Sequence, residues 1–347
     1  MMSRLPLAFA SILALALAAC APTLQRPARP EPGFTGPRLE DHAFVAADGA
    51  RLAMTRWDAT EGHPWAVIVG VHGMNDYANT FHLAAPWWAA RGVTTYAYDQ
   101  RGFGRSPQRG IWAPDALRVD DLRTLVVLVR RRYPTATVAV VGESLGAAVA
   151  IEAFAGADPP LADRLVLAAP AVWGWTSQPL LNRSLLWLAE GVAPGHVFVP
   201  PSWLTSKIAA SDNRDELIAM GRDPLMIWGA RTDALYGLVT TMQHARREVG
   251  GIRAPTLYQY GAHDEVIPPS ATAAAVKRLA PTVRTAWYAD GWHLLLRDRH
   301  ADRVWGDILS FIRDPHAALP SGAPGLSESL ARRRGRHPSP TLASSTP

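Results

Sequence analysis

Apolar runs of strand length alternate along the chain with longer segments of helical patterning. The uninterrupted runs Trp65–Val71 and Val93–Tyr98 predict strands that are covered on both faces. Pro114–Tyr133 predicts a helix, because charged positions alternate there with an apolar stripe and Pro134 follows its end. Strands that alternate with helices favour an α/β fold, with a mainly parallel sheet and helices on both of its faces.

Further short-range signals extend this pattern over most of the chain. Asp48-Gly49 is typical of a hairpin turn between the strands His42–Ala47 and Arg51–Trp57. The other predicted strands are Thr137–Val141, Arg164–Ala169, Pro255–Tyr260 and Val283–Tyr288, and the other predicted helices are His82–Arg91, an Ala-rich segment that ends near Ala155, Ser270–Leu279 and Ala301–Ile312.

Residues 171–251 interrupt the alternation of strands and helices. This interval is longer than a crossover needs, and its patterning is helical. We therefore expect a helical cap inserted between two strands of the sheet. Most of its tryptophans are expected to form the core of the cap itself rather than to contact a ligand. The tryptophans are Trp173, Trp175, Trp187, Trp203 and Trp228.

The N-terminus has the pattern of a secretory signal peptide. An apolar run from Leu5 to Ala19 follows Arg4, and it is shorter than the roughly 20 residues that a transmembrane helix needs. Leu17–Cys20 resembles the lipobox of bacterial lipoproteins, in which cleavage leaves a lipidated cysteine at the N-terminus. We expect residues 1–19 to be removed and Cys20 to carry the lipid, palmitate among its acyl chains. An ordinary signal peptide with an incidental cysteine is the alternative.

Composition divides residues 20–347 into three parts. Residues 20–40 are rich in proline and are expected to form a tether, residues 41–314 to form the α/β domain, and residues 315–347 to be disordered. Ala21, and not aspartate, follows the cysteine. By resemblance to bacterial sorting rules, this predicts a lipid anchor in the outer membrane, with the folded domain facing the periplasm.

Composition and charge exclude several classes of protein. A chain of 347 residues that is 48% hydrophobic and 19% charged is not intrinsically disordered. Its net charge of +5 lies in residues 1–40 and 316–347, which leaves 27 basic and 27 acidic residues between them, so we expect no nucleic-acid partner. A single cysteine excludes an internal disulfide and a cysteine-based zinc site. The oligomeric state stays open.

The candidate nucleophile is Ser144, within Gly142-Glu143-Ser144-Leu145-Gly146. This matches the nucleophile elbow G-x-S-x-G, a strained turn between a strand and a helix whose flanking glycines leave room for the turn. An apolar strand precedes the motif here and an Ala-rich helix follows it. The motif therefore stands in the context that its mechanism requires.

A serine nucleophile needs a base, and the base needs a carboxylate that orients it. With an elbow of this kind the chain order is serine, then acid, then histidine. Asp264 follows the strand that ends at Tyr260, and His293 follows the next predicted strand. We expect these two residues to complete a triad with Ser144. The rivals are Glu265 and Asp290 for the acid and His263 for the base.

The oxyanion hole is expected from two backbone N–H groups. One belongs to Leu145, directly after the nucleophile, and the other to Met74, in the loop that follows the strand ending at Val71. His72 and Gly73 are expected to shape this loop without reacting. This chemistry needs no metal and no cofactor, and the sequence contains no dinucleotide or phosphate-loop motif.

The chain resembles the α/β-hydrolases of the monoacylglycerol lipase and lysophospholipase branch, the serine-aminopeptidase-like hydrolases. The resemblance covers nearly all of the folded part and rests on His72-Gly73-Met74, Asp99–Ser106, the elbow, Gly261–Asp264 with Pro268, His293 and Arg222–Leu225. It implies the α/β-hydrolase fold with a helical cap, and it implies that the Asp99–Ser106 loop is structural. Met74-Asn75-Asp76 departs from the usual sequence of the branch, so the resemblance does not determine the details of the acyl pocket.

The resemblance also implies a small lipid or ester substrate. Hydrolysis of a monoacylglycerol or lysophospholipid through an acyl-enzyme on Ser144 is the function we expect. The alternatives are a broad carboxylesterase, an aminopeptidase-like hydrolase, and a non-catalytic lipoprotein on a hydrolase scaffold. An aminopeptidase would need an acidic cluster to hold the free amine of its substrate, which a sequence cannot reveal.

Overall fold

The computed structural model describes residues 21–201 and 208–336. The expected signal peptide, the lipidation site Cys20 and Trp203 lie outside these residues, and what was expected of them stays a prediction. The described strands are β1 (Arg38–Leu39), β2 (Ala43–Val45), β3 (Arg51–Trp57), β4 (Ala66–Val71), β5 (Val93–Tyr98), β6 (Thr137–Glu143), β7 (Arg164–Ala168), β8 (Val197–Phe198), β9 (Ala230–Arg231), β10 (Thr256–Gly261) and β11 (Arg284–Tyr288).

In the described part of the chain, nine of these strands form one sheet in the order β1-β2-β3-β5-β4-β6-β7-β10-β11. The pairs from β5 through β11 are parallel, and the first three strands add an antiparallel edge. β4, β5 and β6 are buried almost throughout, because helices cover the sheet on both faces. The predicted α/β-hydrolase fold is confirmed.

The described helices are α1 (Ala84–Ala89), α2 (Asp115–Arg132), α3 (Leu145–Ala155), α4 (Leu180–Val192), α5 (Arg214–Arg222), α6 (Thr232–Glu248), α7 (Pro269–Val276), α8 (Ala301–Arg313) and α9 (Leu326–Arg336). One apolar core contains residues of α2, α3, α6, α7 and α9, and the other contains residues of α1 and α8. None of the helices in the described ranges has the length and apolar character required to cross a bilayer.

The parallel strands place the candidate residues at one edge of the sheet. Ser144 follows β6, and the loop that carries Met74 follows the neighbouring strand β4. Asp264 follows β10 and His293 follows β11, which pair with each other. Since parallel strands end at the same edge, loops that are far apart in sequence meet there.

The cap lies between β7 and β10, as expected, and contains α4, α5, α6 and the antiparallel strand pair β8–β9. The prediction that its tryptophans form a core is wrong for two of them. Trp187 is 65% exposed and Trp228 is 54% exposed, whereas Trp173 and Trp175 are half-buried against the main core. Trp187 lies on α4, which has no buried residue.

Residues 21–40 were expected to be a tether, but the structure places them against the domain. The Gln25 N–H donates to the Trp112 carbonyl at 2.8 Å, and the Ala28 N–H donates to the Asp48 carboxylate at 2.7 Å. Backbone hydrogen bonds of this kind do not depend on an apolar side-chain pattern, which explains why no pattern in the sequence indicated them.

The expected disorder from residue 315 onward is wrong for residues 315–336. α9 packs Leu326 and Leu330 against the main core, and both side chains are buried. The Trp287 N–H donates to the Pro324 carbonyl at 2.8 Å, which fastens this segment to the edge strand β11. Two leucines among many polar residues were too weak a signal to indicate this contact.

Candidate active site

Ser144 occupies a strained turn between β6 and α3. Its φ of 52° and ψ of −114° lie in a region that residues with a side chain rarely adopt. A Cβ at Gly146 would lie 2.0 Å from the Val71 carbonyl oxygen, and a Cβ at Gly142 would lie 2.7 Å from the backbone of Ala147. The two glycines therefore permit the close packing of strand and helix on which the turn depends.

Ser144, His293 and Asp264 form a hydrogen-bonded chain. The distance from Ser144 Oγ to His293 Nε2 is 2.9 Å, and the distance from His293 Nδ1 to Asp264 Oδ2 is also 2.9 Å. The other carboxylate oxygen of Asp264 accepts from the N–H groups of Val266 at 2.9 Å and Ile267 at 2.8 Å. All three triad side chains are buried, so the geometry is held in place on every side.

The rival residues of the sequence analysis lie elsewhere. His263 is exposed, and its ring stacks on Trp292 with centroids 5.2 Å apart. Glu265 accepts the Ala209 N–H at 2.7 Å, and Asp290 pairs at 3.5 Å with Arg303 at the surface. None of the three forms a hydrogen bond with Ser144 or His293.

The electrostatic surroundings favour a charged imidazole at His293. Burial acts to lower the pKa of His293, but the carboxylates around it, led by Asp264 and followed by Glu143 and Asp298, raise the pKa above its usual value. An imidazolium that forms during a reaction would be stabilised in the same way. Burial also raises the pKa of the Asp298 carboxyl to about 7.

The loop after β4 brings its backbone against the nucleophile. A Cβ on Gly73 would lie 3.3 Å from the Ser144 Cβ, and the Met74 amide follows directly in the chain. His72 Nε2 accepts the Gln100 N–H at 2.8 Å, and its Nδ1 lies 2.7 Å from the Gly73 carbonyl. Burial lowers the pKa of His72, so this ring is a neutral support for the loop.

The Asp99–Ser106 segment also supports this edge without touching the triad. Asp99 is fully buried, and its carboxylate accepts the Ala78 N–H at 2.9 Å and the Arg105 N–H at 2.8 Å. Ser106 Oγ donates to the Asp99 carbonyl at 2.6 Å. The aspartate thus links the loop to the start of the segment after β4.

A buried ion-pair network that the sequence analysis missed lies beside the triad. Arg297 is 1% exposed and contacts Asp76 at 2.5 Å and Glu143 at 3.4 Å. Its other guanidinium nitrogen lies 3.8 Å from Glu216 on α5 of the cap. Arg297 therefore links the loop after β4, the elbow and the histidine loop to the cap. An arginine in a sequence looks the same whether it is buried or exposed, so no local pattern could have revealed this.

Outside the triad, one cluster of side chains within the described residues could supply ligands to a metal ion. Asp115, Glu152 and His244 bring ligand atoms within 4.8 Å of one another where α2, α3 and α6 meet. Asp115 is already bonded to Arg118 at 2.7 Å and to His244 at 3.0 Å. These contacts satisfy the aspartate within the protein, and we assign no metal to the group.

The family model for serine aminopeptidase, S33 (Hydrolase_4), matches residues 62–300. The chain is 28% identical over 278 residues to the monoacylglycerol lipase of Mycolicibacterium smegmatis, which covers 78% of this chain and 96% of that protein.

Two solved structures share the fold. A soluble variant of the monoglyceride lipase of Saccharomyces cerevisiae in complex with a substrate analog is 15% identical, with a TM-score of 0.66 over 84% of this chain and all of that one. A carboxyl esterase from Bacillus coagulans is 20% identical, with a TM-score of 0.64 over 81% of this chain and 99% of that one. Because the family model covers well over half of the sequence, the protein belongs to the serine aminopeptidase, S33, family of α/β-hydrolases.

Proposed function

We propose that Ser144 is the nucleophile of an acyl-transfer reaction to water. The protein is a carboxylic ester hydrolase of the lipase type. The observation that supports the mechanism is the pair of hydrogen bonds that links Ser144, His293 and Asp264. Ser144 Oγ attacks the ester carbonyl while His293 Nε2 takes the hydroxyl proton. Asp264 holds the ring through the Nδ1–H donor and stabilises the imidazolium.

The second half of the reaction reverses these proton transfers. The tetrahedral intermediate expels the alcohol, which takes the proton from His293 and leaves an acyl group on Ser144. Water then loses a proton to His293 and attacks the acyl carbon. The second tetrahedral intermediate releases the acid, and the proton on His293 Nε2 passes to Ser144 Oγ.

We assign the oxyanion hole to the N–H groups of Met74 and Leu145. Leu145 is the first residue of α3, where a backbone N–H has no partner within the helix. The backbone of Gly73 lies close to Ser144, and this proximity supports the next amide, that of Met74, as the second donor. Loss of one such donor typically lowers turnover about a hundredfold to a thousandfold.

The substrate we propose is a monoacylglycerol, with a lysophospholipid as a second candidate. The relative from Mycolicibacterium smegmatis is named a monoacylglycerol lipase, and this likeness supports the proposed substrate. A peptidase that removes N-terminal residues would need a free carboxylate for the substrate amine. Within the described residues, Asp76 and Glu143 are paired with Arg297, and Asp298 accepts from Ser211, so the carboxylates nearest the triad are occupied.

We also propose that the mature enzyme is anchored through a lipid on Cys20, in the outer membrane and facing the periplasm. The pattern of residues 1–20 supports this anchoring, and Ala21 after the cysteine supports the choice of membrane. An enzyme held there would lie beside its proposed substrate.

The proposed function is tested by a substrate panel together with a covalent probe. The purified enzyme is assayed on p-nitrophenyl esters of several chain lengths, a monoacylglycerol, a lysophospholipid and an aminoacyl anilide. A fluorophosphonate is then reacted with the enzyme and mapped by mass spectrometry. We expect labelling at Ser144 and the highest kcat/KM on the monoacylglycerol. Labelling at another residue would refute the mechanism, and preference for the anilide would refute the substrate.

A further inference from the structure

The turn that follows β4 contains a strained residue directly after the proposed oxyanion donor Met74. Asn75 has a φ of 63°, in the left-handed region that residues with a side chain rarely adopt. In the part of the chain that the structure describes, the Met74 N–H donates to no protein atom, so it is free to bind an oxyanion. The position of this amide depends on what holds Asn75 in its strained turn.

The α/β domain fixes the two ends of this turn. At its start, Gly73 lies against Ser144. At its end, the Asp76 carboxylate pairs with Arg297 at 2.5 Å. Neither contact involves the residue between them, Asn75.

Asn75 itself is held from the cap. Ile227 lies between α5 and β9, and its N–H donates to the Asn75 carbonyl at 3.0 Å. Within residues 21–201 and 208–336 this is the only hydrogen bond of the Asn75 backbone. The peptide group that follows the strained residue is therefore fixed by the cap and not by the sheet.

A side-chain contact joins the same two segments. The Tyr77 hydroxyl donates to Asp223 Oδ2 at 2.6 Å, and Asp223 Oδ1 accepts the Leu225 N–H at 2.8 Å. Burial and the Asp223 carboxylate raise the pKa of Tyr77 above its usual value, so its hydroxyl remains a donor at neutral pH. The carboxylate thus links the turn to the stretch of cap that leads to Ile227.

This stretch of the cap, residues 223–227, is itself fastened to the domain, and we call it the cap brace. Arg109, in the loop after β5, donates to the Pro224 carbonyl at 2.7 Å and to the Met226 carbonyl at 2.9 Å. The brace is therefore anchored on one side and bonded to the turn on the other. It includes the Asp-Pro-Leu of the Arg222–Leu225 motif, which the proposed reaction leaves without a role.

We propose that the cap brace positions the Met74 amide for the oxyanion, with Tyr77 and Asp223 as the positioning residues. This inference rests on the oxyanion hole proposed above and gives the cap a part in transition-state stabilisation. Without the brace, Asn75 would relax toward negative φ and displace the residue before it. An oxyanion donor acts only within about 2.7–3.1 Å of the oxygen, so a small displacement weakens it.

Tyr77→Phe tests the proposal, because it removes a hydroxyl that forms no hydrogen bond with the triad. On p-nitrophenyl butyrate, kcat should fall by about tenfold with KM within about twofold, since the oxyanion forms only in the transition state. Tyr133→Phe is the matched control. It removes a hydroxyl bonded to Tyr96 at 3.0 Å near the amino ends of the strands, and should change neither constant. An unchanged kcat in Tyr77→Phe would overturn the proposal.

A trifluoromethyl ketone distinguishes positioning from a general loss of structure. Ser144 Oγ adds to its carbonyl carbon, and the oxygen of the resulting hemiketal occupies the oxyanion hole. With active sites counted by a fluorophosphonate, Tyr77→Phe should raise the inhibition constant by the same factor by which it lowers kcat/KM. An unchanged inhibition constant would overturn the positioning role. Inhibition of wild type that persists in Ser144→Ala would instead refute the proposed function.

Variants of Asp223 give an independent test by rescue. Asparagine can accept the Leu225 N–H and donate to the Tyr77 hydroxyl oxygen, so Asp223→Asn should keep at least half of the wild-type kcat. Asp223→Ala should match Tyr77→Phe, and the two changes combined should cost no more than either alone, because both break one contact. Additive losses, or full activity in Asp223→Ala, would overturn the proposal.

Discussion

At the scale of single residues, Ser144 illustrates how backbone strain and function coincide. Its positive φ is held by packing on both sides, where Gly142 and Gly146 let α3 approach β4 and β6 closely. A strained backbone conformation of this kind persists only when the packing around it leaves no alternative. It holds the hydroxyl within hydrogen-bond distance of His293, which is what a nucleophile requires.

The first prediction concerns the nucleophile. Ser144→Ala should lower kcat by about 10⁴-fold or more, because the hydroxyl is the attacking group. The side chain is small, so thermal unfolding should show an intact fold. Retention of even a tenth of wild-type turnover by the purified variant would contradict the assignment.

The second prediction separates the two candidate bases. His293→Ala should approach the loss caused by Ser144→Ala, since residues of a triad act as a unit. His263→Ala serves as the control and should retain most of the activity, because His263 is exposed and stacks on Trp292. Steady-state kinetics on one soluble ester decide between them, and the reverse ranking would overturn the role of His293.

The third prediction concerns the Asp298 carboxyl. Burial raises its pKa to about 7, so folding favours its protonated form. The stability that this provides is full below the pKa of the unfolded chain and is lost as the pH rises through about 7. The free energy of unfolding of Asp298→Asn, taken relative to wild type, should therefore be higher at pH 8 than at pH 4 by roughly 4 kcal/mol.

Urea unfolding at the two pH values measures this difference. Asparagine can still accept the Trp292 N–H, so the geometry of the histidine loop should be kept. Asp290→Asn is the control, since its carboxylate lies at the surface and should contribute little. An equal difference at both pH values would show that Asp298 is not protonated in the folded enzyme.

At the scale of elements, the site is assembled by loops that follow different strands and is joined to the cap by charge. Arg297 follows His293 in the chain and pairs with Asp76, Glu143 and Glu216. A charged group at 1% exposure is costly unless it is paired, and here three carboxylates surround it. The network makes the position of α5 and the geometry of the nucleophile dependent on each other.

The fourth prediction tests this network. Arg297→Met should destabilise the protein by about 3–5 kcal/mol, because it leaves carboxylates buried without a counter-charge. Arg299→Met is the matched control two residues away. Arg299 is exposed, and a change there should stay within about 0.5 kcal/mol. Chemical denaturation at pH 7 measures both, and equal effects would show that the buried pairs contribute no special stability.

At the scale of the whole molecule, the contacts that the sequence did not indicate lie at the two ends of the described chain and on the cap. The N-terminal segment is bonded to Asp233 at the cap, and the C-terminal helix α9 closes the core beside β11. On the cap, α4 exposes apolar side chains. Each of these features depends on parts of the chain that are distant in sequence.

The fifth prediction concerns location. Cys20→Ala should remove incorporation of radioactive palmitate and leave the protein unprocessed or soluble, whereas wild type should float with membranes. Density fractionation of cell envelopes then distinguishes the outer membrane from the inner one. If both proteins were soluble and unlabelled, the enzyme would be an ordinary secreted hydrolase.

The sequence by itself determined the features that depend on local patterns. Apolar runs indicated the strands that form the parallel sheet, and G-x-S-x-G placed Ser144 at the turn between β6 and α3. The chain order of serine, acid and histidine that accompanies such an elbow then indicated Asp264 and His293, each of which follows a later strand. Each of these inferences needs only the neighbours in the chain and the general rule that parallel strands end at one edge.

Only the tertiary structure decided the features that depend on contacts between distant residues. Trp187 is exposed because it lies on α4, which has no buried residue, and Leu326 is buried because α9 returns to the core. Arg297 is buried because three carboxylates from other segments meet around it. Residues 21–28 lie on the domain through backbone hydrogen bonds, which leave no trace in side-chain pattern. Burial and pairing are properties of the assembled fold, and a local sequence pattern does not contain them.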